Sequence, residues 1–184
     1  MKRQLLVLGL VCFSLTVFAQ DTPKVEIFGG YSFTRLQPTN SVRRENMNGG
    51  HISVTFNRGF MDWVIDFSAY KGNHGFVPLD LSAYNLLAGV RFGRRGKKFS
   101  WFIQQLYGVS LINTELAPGG GVAASISKRG TMNMTGGFVV DAKLNDRIAL
   151  RLFQADLMFI QRAYPLSSIT PRISTGIIFR LGKK

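Results

Sequence analysis

Cysteine is nearly absent from the 184-residue chain: the single one, Cys12, lies in an N-terminal apolar stretch, and Leu10-Val11 before it lack the small residue a bacterial lipoprotein site requires. Nothing downstream can form a disulfide, a thiolate nucleophile or a Cys-ligated metal site. Histidine is almost as scarce. His51 and His74 stand far apart without a carboxylate cluster beside either, so spacing offers no metal site and no cofactor is expected. Acids are the scarce charge, 10 Asp plus Glu against 23 Lys plus Arg. Beyond the N-terminal stretch no apolar run approaches the ~18 residues of a membrane helix, which excludes a helical span. With 46% hydrophobic and 18% charged residues, the chain is not disordered.

Met1-Lys2-Arg3 forms a basic start, Leu5 to Phe18 carries no charge, and Val17-Phe18-Ala19 fits the small-residue rule for cleavage after Ala19. Residues 1–19 are therefore read as a cleaved signal peptide and 20–184 as one barrel domain. Without Lys2 and Arg3, 21 bases remain against 10 acids. Export turns that excess toward the phosphates of membrane lipids and away from nucleic acid.

The mature chain alternates with the period of two that marks strands. Val25, Ile27, Tyr31 and Phe33 oppose Glu26, Gly30, Ser32 and Thr34; Ile52, Val54 and Phe56 oppose His51, Ser53, Thr55 and Asn57. Trp63, Ile65, Phe67 and Ala69 oppose Asp66 and Ser68, and Tyr84 to Phe92 opposes Asn85, Gly89 and Arg91. A fifth strand runs from about Phe99 to Ser110 with Gln104 inward, and a sixth sets Met132, Met134, Phe138 and Val140 against Asn133, Thr135, Gly137 and Asp141. The seventh places Ile148, Leu150 and Leu152 opposite Arg151. Beyond Phe153 its parity is open: Gln154 and Asp156 fall on the apolar side unless a bulge shifts the register. The eighth sets Ile173, Thr175, Ile177, Phe179 and Leu181 against Arg172, Ser174, Gly176 and Arg180.

Short turns near 57–61, 93–98 and 143–147 alternate with longer loops near 36–48, 71–81, 111–130 and 160–170. Pro38, Pro78, Pro118, Pro165 and Pro171 fall in or beside the long loops, so no strand interior is expected to hold a proline. This pattern predicts an eight-stranded antiparallel up-and-down barrel. Its polar face carries Glu26, Asp66, Arg91, Gln104, Asp141, Arg151, Arg172 and Arg180, read as a charge-paired network in a narrow lumen. Phe56, Trp63, Phe92, Phe99, Trp101 and Phe179 gather at the short-turn ends, as an interfacial girdle would. Together these favour a transmembrane barrel over a soluble calyx, the alternative that alternation alone permits.

Val25-Glu26-Ile27-Phe28-Gly29-Gly30-Tyr31-Ser32, Asp66-Phe67-Ser68 and the run from Asp141 to Arg151 resemble small bacterial outer-membrane β-barrels of the OmpA/OmpX type. The resemblance implies short turns and both termini in the periplasm, long loops outside the cell, and a monomer. Ser174, Gly176, Phe179 and Leu181 resemble the signal read by the outer-membrane assembly machinery, although Gly182-Lys183-Lys184 follow it. The implied function is structural and interactive: membrane integrity and loop-mediated binding of surface lipids, including lipopolysaccharide, or of other partners, with no general porin activity.

Three alternatives stay open. A narrow gated channel would rearrange pairs among Asp66, Arg91, Asp141 and Arg151. His51 and Ser53 share a face, as in the His-x-Ser of lipid A deacylases, but a catalytic site needs an acid, an oxyanion donor and access to lipid, and these residues point to the lumen. A soluble, lipocalin-like barrel is the third. Pro118-Gly119-Gly120-Gly121 lacks the strand-to-helix setting of a phosphate loop. Arg43-Arg44 and Lys128-Arg129 supply basic loops, and Arg94-Arg95-Gly96-Lys97-Lys98 a basic short turn.

Overall fold

Side chains that alternate between a wet or polar lumen and an apolar exterior can satisfy every backbone hydrogen bond only in a closed sheet. The structure, a computed structural model, describes residues 23–36, 45–73, 79–116, 127–161 and 168–183. Residues 1–19, Pro38, Arg43, Arg44, His74, Pro78, Pro118 to Gly121 and Pro165 lie outside the described residues, as do the side chains of Lys128 and Arg129. Eight strands follow in chain order: β1 (Pro23–Leu36), β2 (Glu45–Asn57), β3 (Asp62–Asn73), β4 (Leu79–Arg95), β5 (Phe99–Leu116), β6 (Ser127–Lys143), β7 (Ile148–Ile160) and β8 (Ser168–Lys183). Each pairs antiparallel with the next, and β1 pairs with β8 to close the barrel. Among the described residues no helix is long and apolar enough to cross a membrane.

The short turns have local causes. Gly59 adopts φ +95° between β2 and β3, a conformation glycine enters without strain. Between β6 and β7 the Asn145 side-chain oxygen accepts the N–H groups of Arg147 and Ile148 at 2.9 and 2.7 Å, an Asx turn.

The strands run further toward the long loops than the sequence reading assigned. β2 already starts at Glu45, β3 continues to Asn73, β5 continues to Leu116 and β6 starts at Ser127. On β1 to β5 these extensions keep the alternation with its sign reversed, whereas on β7 the outward Leu157 and Phe159 stay apolar. Leu36, Met47, Leu81, Ile112, Met158 and Ile160 are buried, whereas Arg35, Asn46, Asn48 and Lys71 face outward and are exposed. A reading that sought apolar residues outside therefore stopped too early.

A proline does stand inside a strand, contrary to the expectation: Pro171 lies in β8, opposite Leu157 of β7. The β1–β8 ladder stops one residue away, at Thr34–Arg172. The missing N–H thus falls beyond the end of a ladder, where it is tolerated; Thr34 Oγ1 donates to the Pro171 carbonyl at 3.0 Å.

The parity of β7 is resolved by a bulge. Its register against β8 shifts between Arg151 and Gln154, and that of β6 against β7 shifts between Val140 and Asp141. Leu152 and Phe153 both face outward, so Arg151, Gln154 and Asp156 all turn inward and are buried.

Candidate functional site

The lumen contains two ionic clusters. The larger links six strands. Asp141 of β6 accepts Arg151 Nε at 2.9 Å; Arg151 donates to Gln154 Oε1 at 2.6 Å; Gln154 donates to Asp156 at 2.7 Å. Gln104 of β5 donates to the other Asp156 oxygen at 2.8 Å. Arg172 of β8 bridges Asp156, through Nε at 2.7 Å, to Asp66 of β3, through its two terminal nitrogens at 3.0 and 3.1 Å. His51 of β2 completes the chain at 2.6 Å from Asp66.

The second cluster lies toward the short turns. Arg91 bonds Glu26 and stands 3.4 Å from Asp62; Arg95 donates to Asp62 and to Asn57, each at 2.7 Å. Arg180 Nε lies 3.3 Å from Glu26 Oε1. Two inward rings carry the guanidiniums: Phe102 under Arg91 and Arg95, at 4.1 and 4.9 Å to its centroid, and Phe28 under Arg151 at 4.3 Å. Such cation–π contacts gain strength away from water. Among the described side chains the lumen holds five carboxylates (Glu26, Asp62, Asp66, Asp141, Asp156) and five guanidiniums (Arg91, Arg95, Arg151, Arg172, Arg180). Formal charge balances there with His51 neutral.

All eight residues of the expected lumen network point inward, but in partnerships that were not foreseen. Asp66 meets Arg172, and Arg91 meets Glu26; only Asp141–Arg151 joins two of the four groups named for a gate. Asp62, Arg95, His51, Gln154 and Asp156 were missed as members. Asp62 and Arg95 carry the parity of Asp66 and Arg91 and were legible from it; Gln154 and Asp156 depended on the bulge. Gly137 lies opposite Asp156, and a Cβ there would collide with that carboxylate.

Toward the long loops the lumen changes character. Ser32 bonds the Tyr70 hydroxyl and Ser174 at 2.9 and 2.8 Å, and Asn133, Ser110, Asn85 and Ser68 form a hydrogen-bonded chain across four strands. Beyond them Leu36, Met47, Leu81, Ala83, Ile112, Met158 and Ile160 pack with Tyr70 into an apolar cap inside the barrel.

His51 has an acid partner in Asp66, which the sequence did not reveal. No hydrogen bond joins it to Ser53 among the described contacts, and both side chains are buried in the lumen. Among the described residues no group of three metal-ligating side chains occurs.

On the outside, Phe56, Trp63, Phe92, Phe99, Trp101 and Phe179 are all exposed, from 39% at Phe92 to 60% at Phe99. They lie at the short-turn end. Phe56 pairs with Trp63 across the first turn, and Trp101 with Arg94 across the second. Phe179 faces Ile148, the first residue after the third turn. In β8, Ser174 points inward, Gly176 lies against Gly29 and Gly30 of β1, and Phe179 and Leu181 face outward.

No protein-family model and no curated protein match the sequence. Solved structures do. Neisserial surface protein A superposes with a TM-score of 0.70 at 10% identity, covering 86% of this chain and 97% of that one. Ail, the attachment invasion locus protein of Yersinia pestis, gives 0.60 at 13%, covering 87% and 99%; it has also been solved with the heparin analogue sucrose octasulfate. The N-terminal β-barrel domain of Pseudomonas aeruginosa OprF gives 0.51 at 13%, covering 87% and 98%. At such identities the likeness concerns architecture, and with the closed eight-strand sheet and its apolar exterior, this chain has the fold of the small outer-membrane barrels that its sequence resembles.

Proposed function

We propose that the chain is a monomeric integral barrel of the bacterial outer membrane, without catalytic activity, that supports the membrane and offers its long-loop end to lipopolysaccharide and other polyanions of the cell surface. The observation that carries this reading is the reversal of polarity along β1 to β5. An apolar exterior such as Tyr84 to Phe92 of β4 suits the ~9–11 residues a tilted strand needs to cross a bilayer. It ends in aromatics at one rim and in polar residues at the other. A soluble calyx would keep one polarity throughout.

The lumen is packed with buried side chains, which favours a structural role over transport. For the surface role, Arg35 and Lys71 stand exposed just past the apolar band on the loop side. Arg43-Arg44 and Lys128-Arg129 of the sequence add charge to the same end. These supply the chemistry that phosphorylated sugars require. Export by a signal peptide cleaved after Ala19 and assembly through the β8 signal belong to the same reading.

Cell fractionation tests it. The mature protein is expected to stay with outer membranes through a carbonate wash and to change gel mobility on boiling; a soluble protein with unshifted mobility overturns the membrane reading. Arg35→Gln with Lys71→Gln is expected to weaken lipopolysaccharide binding, and undiminished binding removes the loop-end role.

A further inference from the structure

The short-turn rim carries cations that the lumen network does not use. Lys24, Arg58, Arg94, Lys97, Lys98 and Arg147 are exposed, and none of their side chains has a hydrogen-bonding or ionic partner among the described residues. Among the described residues the acids of this end are engaged. Glu26 and Asp62 are buried in the lumen with Arg91, Arg95 and Arg180, and Asp146 lies 2.7 Å from Lys143. A strong positive surplus therefore faces outward.

Two features of its placement say what it meets. The cations are distributed around the circumference: Arg58 in the β2–β3 turn, Arg94, Lys97 and Lys98 at the β4–β5 turn, Arg147 at the β6–β7 turn, and Lys24 where β1 meets β8. A single docking protein would use one side; lipids surround the barrel. The cations also sit just outside the exposed aromatics. Arg94 lies two residues beyond Phe92 on the same outward parity and opposite Trp101, so its Cα is about 7 Å further along the strand. At a tilt of ~45° that is about 5 Å along the bilayer normal, past the aromatic belt and at headgroup depth. Arg58 follows Phe56 by two residues, just past the end of β2, and Arg147 precedes Ile148, the partner of Phe179. Guanidinium and ammonium groups there would donate to phosphate oxygens.

We infer that the short-turn rim is an annular binding collar for the phosphate headgroups of anionic phospholipids in the adjacent leaflet. This rests on the membrane-barrel reading but concerns the opposite end from the lipopolysaccharide-facing loops.

The chain contains its own reporters: both tryptophans, Trp63 and Trp101, lie in this belt. Full-length mature protein is reconstituted into phosphatidylcholine vesicles containing a minority of brominated phosphatidylglycerol, or of brominated phosphatidylcholine, and tryptophan quenching is compared. Near-surface cations are each worth about a fivefold preference for anionic lipid. The brominated anionic lipid is therefore expected to quench as if enriched about fivefold, with the enrichment fading as salt shortens the screening length. Arg58→Gln with Arg94→Gln, Lys97→Gln and Lys98→Gln should bring enrichment toward unity while preserving the heat-dependent mobility shift, and Arg35→Gln with Lys71→Gln should leave it unchanged. Equal quenching by both brominated lipids, or enrichment surviving in the quadruple variant, overturns the collar alone. No quenching by either lipid overturns the collar together with the membrane reading.

Discussion

Arg172→Met is the most informative single perturbation of the barrel. Arg172 is completely buried and joins two carboxylates on different strands, Asp156 at 2.7 Å and Asp66 at 3.0 and 3.1 Å. Its removal leaves four lumen guanidiniums for five carboxylates. Asp66 then keeps His51, while Asp156 keeps only the amides of Gln104 and Gln154. Breaking a buried pair and stranding its partner costs about 3–5 kcal/mol, far more than the ~0–1 kcal/mol of an exposed pair. Lys143–Asp146, 2.7 Å apart but 37% and 70% exposed, provides the internal comparison. Urea unfolding in lipid vesicles, followed by the unboiled gel shift, should give a loss of about 3–5 kcal/mol for Arg172→Met and under about 1 kcal/mol for Lys143→Ala. Adding Asp66→Asn should give non-additivity of about 1–3 kcal/mol, because one unpaired charge is then removed. A loss below about 1 kcal/mol for Arg172→Met, or strict additivity with Asp66→Asn, would refute the claim that this bridge organises the lumen.

Gly137→Ala drives a methyl into the Asp156 carboxylate and should destabilise by about 1–3 kcal/mol, whereas Gly29→Ala, with nothing near its Cβ, should leave the urea midpoint nearly unchanged; equal effects would remove the packing argument. Deleting Phe153 removes the extra residue of the bulge and leaves plain alternation, Arg151 inward, Leu152 outward and Gln154 inward, so Gln154 to Ile160 should keep their faces and the heat-modifiable form should persist; loss of that form would contradict the observed register. In planar bilayers the wild-type protein should give no steady conductance, because the apolar cap and the paired charges fill the lumen; discrete open events would require one of those layers to move. Ser53→Ala should leave lipid A acylation as it is, since Ser53 is sealed inside the barrel, and a change in acylation would revive the enzyme reading.

Which residues face outward was legible wherever two conditions held: a strict period of two and an apolar exterior. The faces read for β1 to β6 and β8 agree with the structure because one displaced residue would have put Glu26, Asp66 or Arg172 on the apolar exterior. Partner choice was not legible. Glu26 of β1 reaches Arg91 of β4, and Asp66 of β3 reaches Arg172 of β8, across a lumen whose geometry depends on the stagger of the closed sheet. Nor does alternation reveal Phe28 and Phe102, apolar residues on the polar face whose use is to support guanidiniums. The cap escaped notice for another reason: its apolar residues face inward, and on β1 to β5 they do so where the outward residues have already become polar.

On the membrane-barrel reading, that reversal also works as a waterline. Asn48, Lys71, Ser82 and Asn113 are direct register partners across β2, β3, β4 and β5, so the outward polar row is continuous around this arc of the wall. Its depth is set by backbone pairing and cannot drift strand by strand. In a thicker bilayer the row would be drawn into hydrocarbon, and in a thinner one apolar wall would meet water, each at a small cost per ångström. On the membrane-barrel reading, this arc of the wall is therefore matched to one membrane thickness. Above the waterline the same strands continue as a parapet of sheet around the apolar cap.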